Sequence, residues 1–527
     1  MTTPTKGVFS QPAAGNLTHD EPPSRTPGPS DDTGFFGHPR GLSTLFFTEM
    51  WERFSYYGIR PMLVLFMSAA LASGGFGFDR TVASAIVGIY AGSVYLASLP
   101  GGWIADRWLG LRRAIWYGGL FIALGHISIA ASVILGRPAF FVGLIFIVMG
   151  TGLLKPNISA IVGDLYPEGG ARRDAGFSIF YMGINLGATL GPLITAFLRV
   201  RAGWHIGFSA AGVGMLAGVI TYRLRAGSTL GSLGVSPTGT PEQQRLVKRV
   251  VFGGLAVIAA VLVLSFAGFL PIQAVALAQQ MRNIELAMAV LYFVYLFLFA
   301  KLAGDELKRV AVIAVLFVFA TIFWAAFEQA PTSLNLFAQD FTNRVIFGYE
   351  IPPEWLQVVN SFFVIAFAPV FAWIWVSLGR RGWDLSSPTK FTFGLVFAGL
   401  GFLIMVPAAN AVIAGGGAAI RVSIWWLTVS YVLQSFGELS LSPVGLSSMT
   451  KLAPRKFAGQ MMGVWFLATS LGNVIAGLVG GKVDPEKLQE MPLLFRQTSV
   501  SLFIAAGVCA LLIIPIRRMM REVPDHT

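Results

Sequence analysis

The chain has 527 residues, of which 55% are hydrophobic and only 12% charged, and its formal net charge is +12. A soluble domain carries about 25% charged residues, so this composition excludes an ordinary soluble protein. Nor does the positive balance point to nucleic acid, because the basic residues gather in alternate loops between apolar runs; no nucleic-acid partner is expected.

Residues 1–40 are rich in Pro, Gly, Ser and Thr and carry Asp20, Glu21, Asp31 and Asp32. No apolar core follows a basic start, so the segment reads as a disordered cytoplasmic tail rather than a signal peptide. Beyond it, apolar runs of about 20 residues recur, the length that crosses a bilayer as a helix. They predict fourteen spans, near 41–72, 80–104, 111–134, 138–165, 171–199, 204–225, 250–269, 274–302, 309–338, 353–378, 390–411, 421–449, 456–480 and 494–517. The eighth opens on Gln279, Gln280 and Arg282, which predicts an interfacial start.

The polar segment 226–249 divides the chain. The expected fold is an all-α polytopic membrane protein of two six-helix bundles, 41–225 and 303–517. Between them lie a cytoplasmic linker (226–249) and an inserted transmembrane hairpin (250–302), read as a lipid-facing structural element. A short cytoplasmic tail, 518–527, closes the chain. Secondary transporters are commonly built as paired repeats with a site at the midplane. The basic pairs Arg112-Arg113, Arg172-Arg173, Lys248-Arg249, Lys308-Arg309, Arg380-Arg381 and Arg517-Arg518 all fall on the side of the N-terminus, which places both termini in the cytoplasm. No phosphate-binding Gly-Lys-Ser/Thr loop supports ATP-driven transport. The single cysteine, Cys509, permits no intrachain disulfide.

The first span is the least ordinary. Its apolar run is broken by Glu49, Glu52, Arg53 and Arg60, and a charge at the bilayer centre costs roughly 2.5–3.5 kcal/mol on insertion scales. On a helix, Glu49, Glu52, Arg53, Tyr56 and Arg60 share one face, which Tyr57 extends. Internal neutralisation of Arg53 by the two glutamates is the alternative, but it leaves Arg60 unexplained. Further buried charges are Lys155 in the fourth span, Glu328 in the ninth and Glu438 in the twelfth. Four acids face three bases, and an unmatched carboxylate in a low dielectric tends to bind a proton. Proton coupling is therefore expected.

Several stretches then agree with one family. Glu49-Met-Trp-Glu-Arg53 followed by Phe54-Ser-Tyr-Tyr-Gly58 resembles the first-helix signature of the proton-dependent oligopeptide transporters of the major facilitator superfamily. Gly101-Gly-Trp-Ile-Ala-Asp-Arg-Trp-Leu-Gly110 is similar to the loop after the second helix, and Phe180-Tyr-Met-Gly-Ile-Asn-Leu-Gly-Ala188 to the fifth-helix pattern. Phe323-Trp-Ala-Ala-Phe-Glu-Gln329 and Gly437-Glu-Leu-Ser-Leu-Ser-Pro-Val-Gly-Leu-Ser447 resemble patterns of the C-terminal half.

The resemblance implies import of di- and tripeptides with protons across a bacterial inner membrane, by a monomer that uses the proton gradient and no cofactor, metal or catalytic residue. It assigns Glu49, Glu52, Arg53 and Glu328 to proton coupling, and Arg60 with Glu328 to a gate. Arg53, Tyr56, Tyr57, Arg60, Tyr95, Lys155, Asn185, Trp324, Asn360, Glu438 and Trp465 become substrate contacts. Asp106, Arg107, Arg112 and Arg113 become a conformational latch. The second span lacks the histidine that animal members use, so coupling must rest on carboxylates. His126 and His205 read as structural, and Pro443 as a bend in its helix. A relative carrying another solute, such as nitrate or a peptide-like compound, is the nearest alternative. A non-transporting receptor or scaffold is more distant. An enzyme is not expected, since no metal-ligand cluster and no nucleophile–base motif is present.

Overall fold

Sixteen α-helices follow one another in the computed structural model, which describes residues 32–383, 385–417 and 420–521. They are α1 Arg40–Ser68, α2 Arg80–Ile104, α3 Leu111–Leu135, α4 Arg137–Asp164, α5 Gly170–Ala202, α6 Trp204–Leu230, α7 Pro241–Phe266 and α8 Ala274–Leu298. The second half has α9 Gly304–Phe327, α10 Asn335–Phe341, α11 Val358–Arg380, α12 Ser387–Leu403, α13 Met405–Ala414, α14 Trp425–Leu452, α15 Ala458–Gly480 and α16 Glu490–Arg521. The greater part of each predicted tail lies outside the described residues.

α9 runs on through a short π-helical segment into α10, and α12 adjoins α13, so sixteen helices make the fourteen expected spans. Among the described residues, twelve spans are apolar and long enough to cross a membrane. The remaining two are α1, which carries Glu49 to Arg60, and α14, which carries Glu438. Both depart from the apolar pattern through polar and charged residues within the span.

Because the spans alternate in direction, two faces can be defined. The N-terminal face holds the start of α1 and the ends of α2, α4 and α14. The opposite face holds the end of α1 and the starts of α2, α8 and α14. Single-residue turns at Gly136 (φ 72°) and Gly203 (φ 91°) reverse the chain between α3 and α4 and between α5 and α6. Only glycine takes such a backbone without strain. Two small two-stranded sheets lie on the opposite face: β1 Thr342–Asn343 pairs with β4 Val422–Ser423, and β2 Val345–Ile346 with β3 Tyr349–Glu350.

One boundary differs from expectation. The polar connection between the halves spans only residues 231–240, not 226–249, because α6 continues to Leu230 and α7 starts at Pro241. A capping box fixes that start: Gln243 N donates to Thr240 Oγ1 (3.3 Å), and Thr240 N donates to Gln243 Oε1 (3.1 Å). A proline at the first helical position completes it. Polar residues 241–249 are the exposed first turns of a helix, which hydropathy alone reads as a loop.

α1 packs on α5 and α6, and α2 and α3 pack on α4, in the N-terminal bundle. In the second bundle α9 packs on α15, and α12 on α14 and α16. Close backbone approach depends on small residues, as in membrane interfaces generally. A Cβ at Gly101 would collide with the carbonyl of Gly152 across the α2–α4 contact. Gly101→Ala should therefore force the helices apart and cost about 1–3 kcal/mol. A lowered midpoint of thermal unfolding in detergent would show it; an unchanged midpoint would mean that the contact relaxes freely.

The inserted hairpin is two unlike helices. α7 buries only Val247. α8 instead packs against α2 of one bundle and α15 of the other. Those two helices meet directly, and a Cβ at Gly477 would lie 2.6 Å from the Gly88 Cα.

Candidate functional site

A cavity of about 300 Å³ lies between the bundles. That is the lower end of the range for small-molecule sites. All but one of the side chains assigned to substrate line it: Arg53, Tyr57, Arg60, Tyr95, Lys155, Asn185, Trp324, Asn360, Glu438 and Trp465. The exception is Tyr56. Adjacent positions on a helix point about 100° apart, so Tyr57 faces the cavity while Tyr56 turns away and stacks on Tyr90 (centroids 6.1 Å apart). Its ring sits between the guanidiniums of Arg53 and Arg60, at 6.0 and 5.8 Å.

The charges of α1 are arranged in two groups. Arg53 Nε lies 2.7 Å from Glu49 Oε1 and 3.0 Å from Glu52 Oε2. Glu52 is wholly buried and also accepts a long bond from Thr151 Oγ1 (3.4 Å). The internal neutralisation held open from the sequence is therefore present, yet Glu49 and Arg53 still border the cavity. Two helical turns further on, Arg60 pairs with Glu328, the residue that caps α9 in the other bundle. Arg60 Nη2 also donates to Asn473 Oδ1 (3.2 Å).

Two charges remain without an opposite partner. Among the described residues Lys155 makes no ion pair; its Nζ rests 3.9 Å from the centre of the Tyr95 ring. Such a contact favours the cation without cancelling it. Glu438, from the other bundle, also has no cationic partner among the described residues. Asn360 Nδ2 donates to it (3.1 Å) and also reaches Ser435 Oγ (3.0 Å). Trp324 and Trp465 meet edge to face, 6.4 Å apart, on the wall. Asn185 spends its Nδ2 on the Tyr181 carbonyl of its own helix (3.0 Å).

Further ties between the bundles escaped sequence reading. Arg80 pairs with Asp340. Arg199 grips Glu354 with two contacts, Nε–Oε1 at 2.8 Å and Nη2–Oε2 at 3.0 Å. Asn335 Nδ2 donates to the Pro61 carbonyl (2.7 Å), and Trp355 Nε1 to that of Leu193 (3.1 Å). With Arg60–Glu328, these ties close the opposite face. The cavity instead extends to Ser159 and Leu446, exposed residues near the ends of α4 and α14 on the N-terminal face. The only sequence signal for the added pairs is a charge at the end of a span, which is where loop charges also sit.

Three of the four positions assigned to a latch have a local role in this conformation. The Asp106 carbonyl accepts from Thr238 N (2.7 Å) and Oγ1 (3.0 Å). Arg107 Nη1 donates to Gln243 Oε1 (3.0 Å), and Arg112 Nη1 to the Gly231 carbonyl (2.6 Å). They fasten the 231–240 connection and the start of α7 to the N-terminal bundle, while Arg113 is exposed. His126 is fully buried in α3, and His205 Nε2 lies 3.3 Å from Ser132 Oγ; neither borders the cavity.

Comparison with known proteins agrees with this geometry. The family model described as "POT family" matches residues 112–490. The chain is 50% identical to the peptide transporter YePEPT of Yersinia enterocolitica, over 93% of this chain and 96% of that protein. It is 37% identical to a di-/tripeptide transporter of Lactococcus lactis, over 91% and 94%. Its fold is similar to the crystal structure of a peptide transporter POT in complex with sulfate, with a TM-score of 0.85 and 40% identity over 92% and 96% of the two chains.

Proposed function

The chain belongs to the POT family, and on that premise we propose that it is a proton-coupled symporter that imports di- and tripeptides by alternating access. The observation that carries the proposal is the pair of uncancelled charges, Lys155 and Glu438, on different bundles and facing one cavity. A zwitterionic peptide supplies the two missing partners at once. Lys155, with Arg53 beside it, receives the carboxylate; Glu438, steadied by Asn360, receives the ammonium. Tyr57, Tyr95, Trp324 and Trp465 offer broad apolar contact that accepts varied side chains.

Arg60–Glu328 forms the gate on the opposite face, which we take as extracellular because the basic loops lie on the N-terminal side. In the cycle we infer, a proton on Glu328 removes its charge and frees Arg60, so the outer face can part. Peptide binding draws the bundles together again. The proton and the peptide then leave toward the cytoplasm, the side on which the cavity reaches Ser159 and Leu446. Glu49 and Glu52 share the coupling, since their protonation changes how firmly Arg53 is held. The protein acts as a monomer in a bacterial inner membrane, with the proton gradient as its energy source and no cofactor.

Uptake into proteoliposomes under an imposed proton gradient tests the reading. Labelled dialanine should accumulate, unlabelled di- and tripeptides should compete, and free amino acids should not. Accumulation of another solute with no competition by dialanine would sink the peptide assignment while leaving the transporter fold intact.

A further inference from the structure

Glu285 is a buried acid that transport through the cavity does not use. The buried residues of α8 are Ala278, Glu285, Ala289 and Leu296, which recur at heptad spacing and form one narrow seam. The seam lies in the groove between α2 and α15, where Ala278 clusters with Ala85 and Val474. An acid stands where the pattern calls for an apolar residue. Glu285 is 0% exposed and lies near the middle of its helix. Its Oε2 has no hydrogen-bond partner.

No cation offsets it among the described residues. α15 beside it contains no charged side chain, and α2 carries only Arg80 at its start, which is taken by Asp340. α9 also touches α8, but its charges sit at its start (Asp305, Glu306, Lys308, Arg309) or at its end, where Glu328 is taken by Arg60. On α8 itself, Arg282 bonds to Asn283 Oδ1 at 2.9 Å.

The proton count at the seam is specific. Ser470 Oγ of α15 lies 2.8 Å from the Gly92 carbonyl of α2 and 2.6 Å from Glu285 Oε1. A hydroxyl has one hydrogen, and a carbonyl and a carboxylate both only accept. The two contacts are both hydrogen bonds when Glu285 carries a proton and donates to Ser470, which donates to Gly92. We propose that Glu285 is a proton-binding site outside the transport cavity, and that its protonated form pins α8 across the α2–α15 seam and so ties the two bundles together. Taking up a proton from water forms the O–H that Ser470 accepts. Losing it leaves a bare carboxylate among apolar walls, which is strongly unfavourable, and favours release of α8. Tyr292 marks the same seam nearer the N-terminal face, donating to Gln460 Oε1 of α15 (2.8 Å). The hairpin becomes a pH-sensitive brace on the rocking of the bundles. That consequence rests on the transporter reading, while the proton site and the pinning do not.

The test uses the full chain in lipid nanodiscs and needs no transport. Infrared difference spectra across a pH step should show a protonated-carboxyl C=O band that Glu285→Gln removes. Ser470→Ala should move that band without removing it, and it stands as the second variant if the first fails to fold. In parallel, hydrogen exchange of α8, corrected for its intrinsic pH dependence, should lose about tenfold of protection per pH unit once the single proton leaves. In Glu285→Gln it should stay flat. Spectra with no such band, a band unmoved by Ser470→Ala, or identical corrected exchange in wild type and Glu285→Gln would each overturn the proposal. Loss of peptide uptake with these readouts intact would count against the transport reading alone.

Discussion

Lys155→Ala should abolish concentrative uptake of dipeptides while leaving the protein folded and in the membrane. Lys155 makes no ion pair among the described residues, and its Nζ rests over the face of Tyr95. The nearby acids Glu49 and Glu52 keep Arg53 as their partner when Lys155 is removed, so the folded state loses little. The peptide carboxylate loses a charge-assisted contact worth about 1.5–3 kcal/mol, or roughly tenfold to a hundredfold in affinity. Arg53 alone does not make up the loss, because its charge is shared with Glu49 and Glu52. Lys155→Arg should recover part of the binding, since it keeps the charge but changes the reach. Proteoliposome accumulation with parallel binding titrations separates these outcomes. Normal accumulation against a gradient by Lys155→Ala would remove the residue from the mechanism.

Glu328→Gln should uncouple the protein from the proton gradient. Arg60 and Glu328 are both buried, at 7% and 5% exposure, and they join the two bundles directly. Breaking a buried pair by removing one charge typically costs about 3–5 kcal/mol. Glutamine, which imitates the protonated acid, leaves an acceptor for Arg60, and Asn473 Oδ1 supplies another. The gate therefore loses its ionic lock without leaving the guanidinium bare. Peptide exchange down its own gradient should persist, and proton-driven accumulation should fall to the background level. Arg80–Asp340 and Arg199–Glu354 would still hold the same face, so closure should survive the change. Counterflow measured beside pH-driven uptake decides it; an unchanged pH dependence would rule out Glu328 as the coupling acid.

The sequence made the charged stripe of α1 legible because a helix writes its faces at spacings of three and four. It also exposed Lys155, Glu328 and Glu438, since a charge inside an apolar run is costly and conspicuous. The pairing of Arg60 with Glu328, 268 positions away, came from resemblance and not from spacing. Arg80, Asp340, Arg199 and Glu354 were hidden by their place at helix ends, where an exposed loop charge looks the same. Glu285 was masked by its polar neighbours Gln279, Gln280 and Arg282, which made the start of α8 read as interfacial. Spacing placed Tyr56 within the stripe and Tyr57 at its edge, and it is the edge that meets the cavity, because the centre of the face turns toward Tyr90 of α2. The 226–249 segment was misjudged since polarity signals contact with water, and the first turns of a long helix meet water as readily as a loop does.

The facing glycines of α2 and α15 bear on how such a molecule moves. Where Gly88 meets Gly477, neither surface carries a tooth that must disengage before the other can shift. Parting or sliding there requires no side chain to change rotamer. Resistance to motion then resides in the discrete polar fastenings around the joint rather than in its bearing surface, so its stiffness can be altered bolt by bolt while the smooth face stays the same.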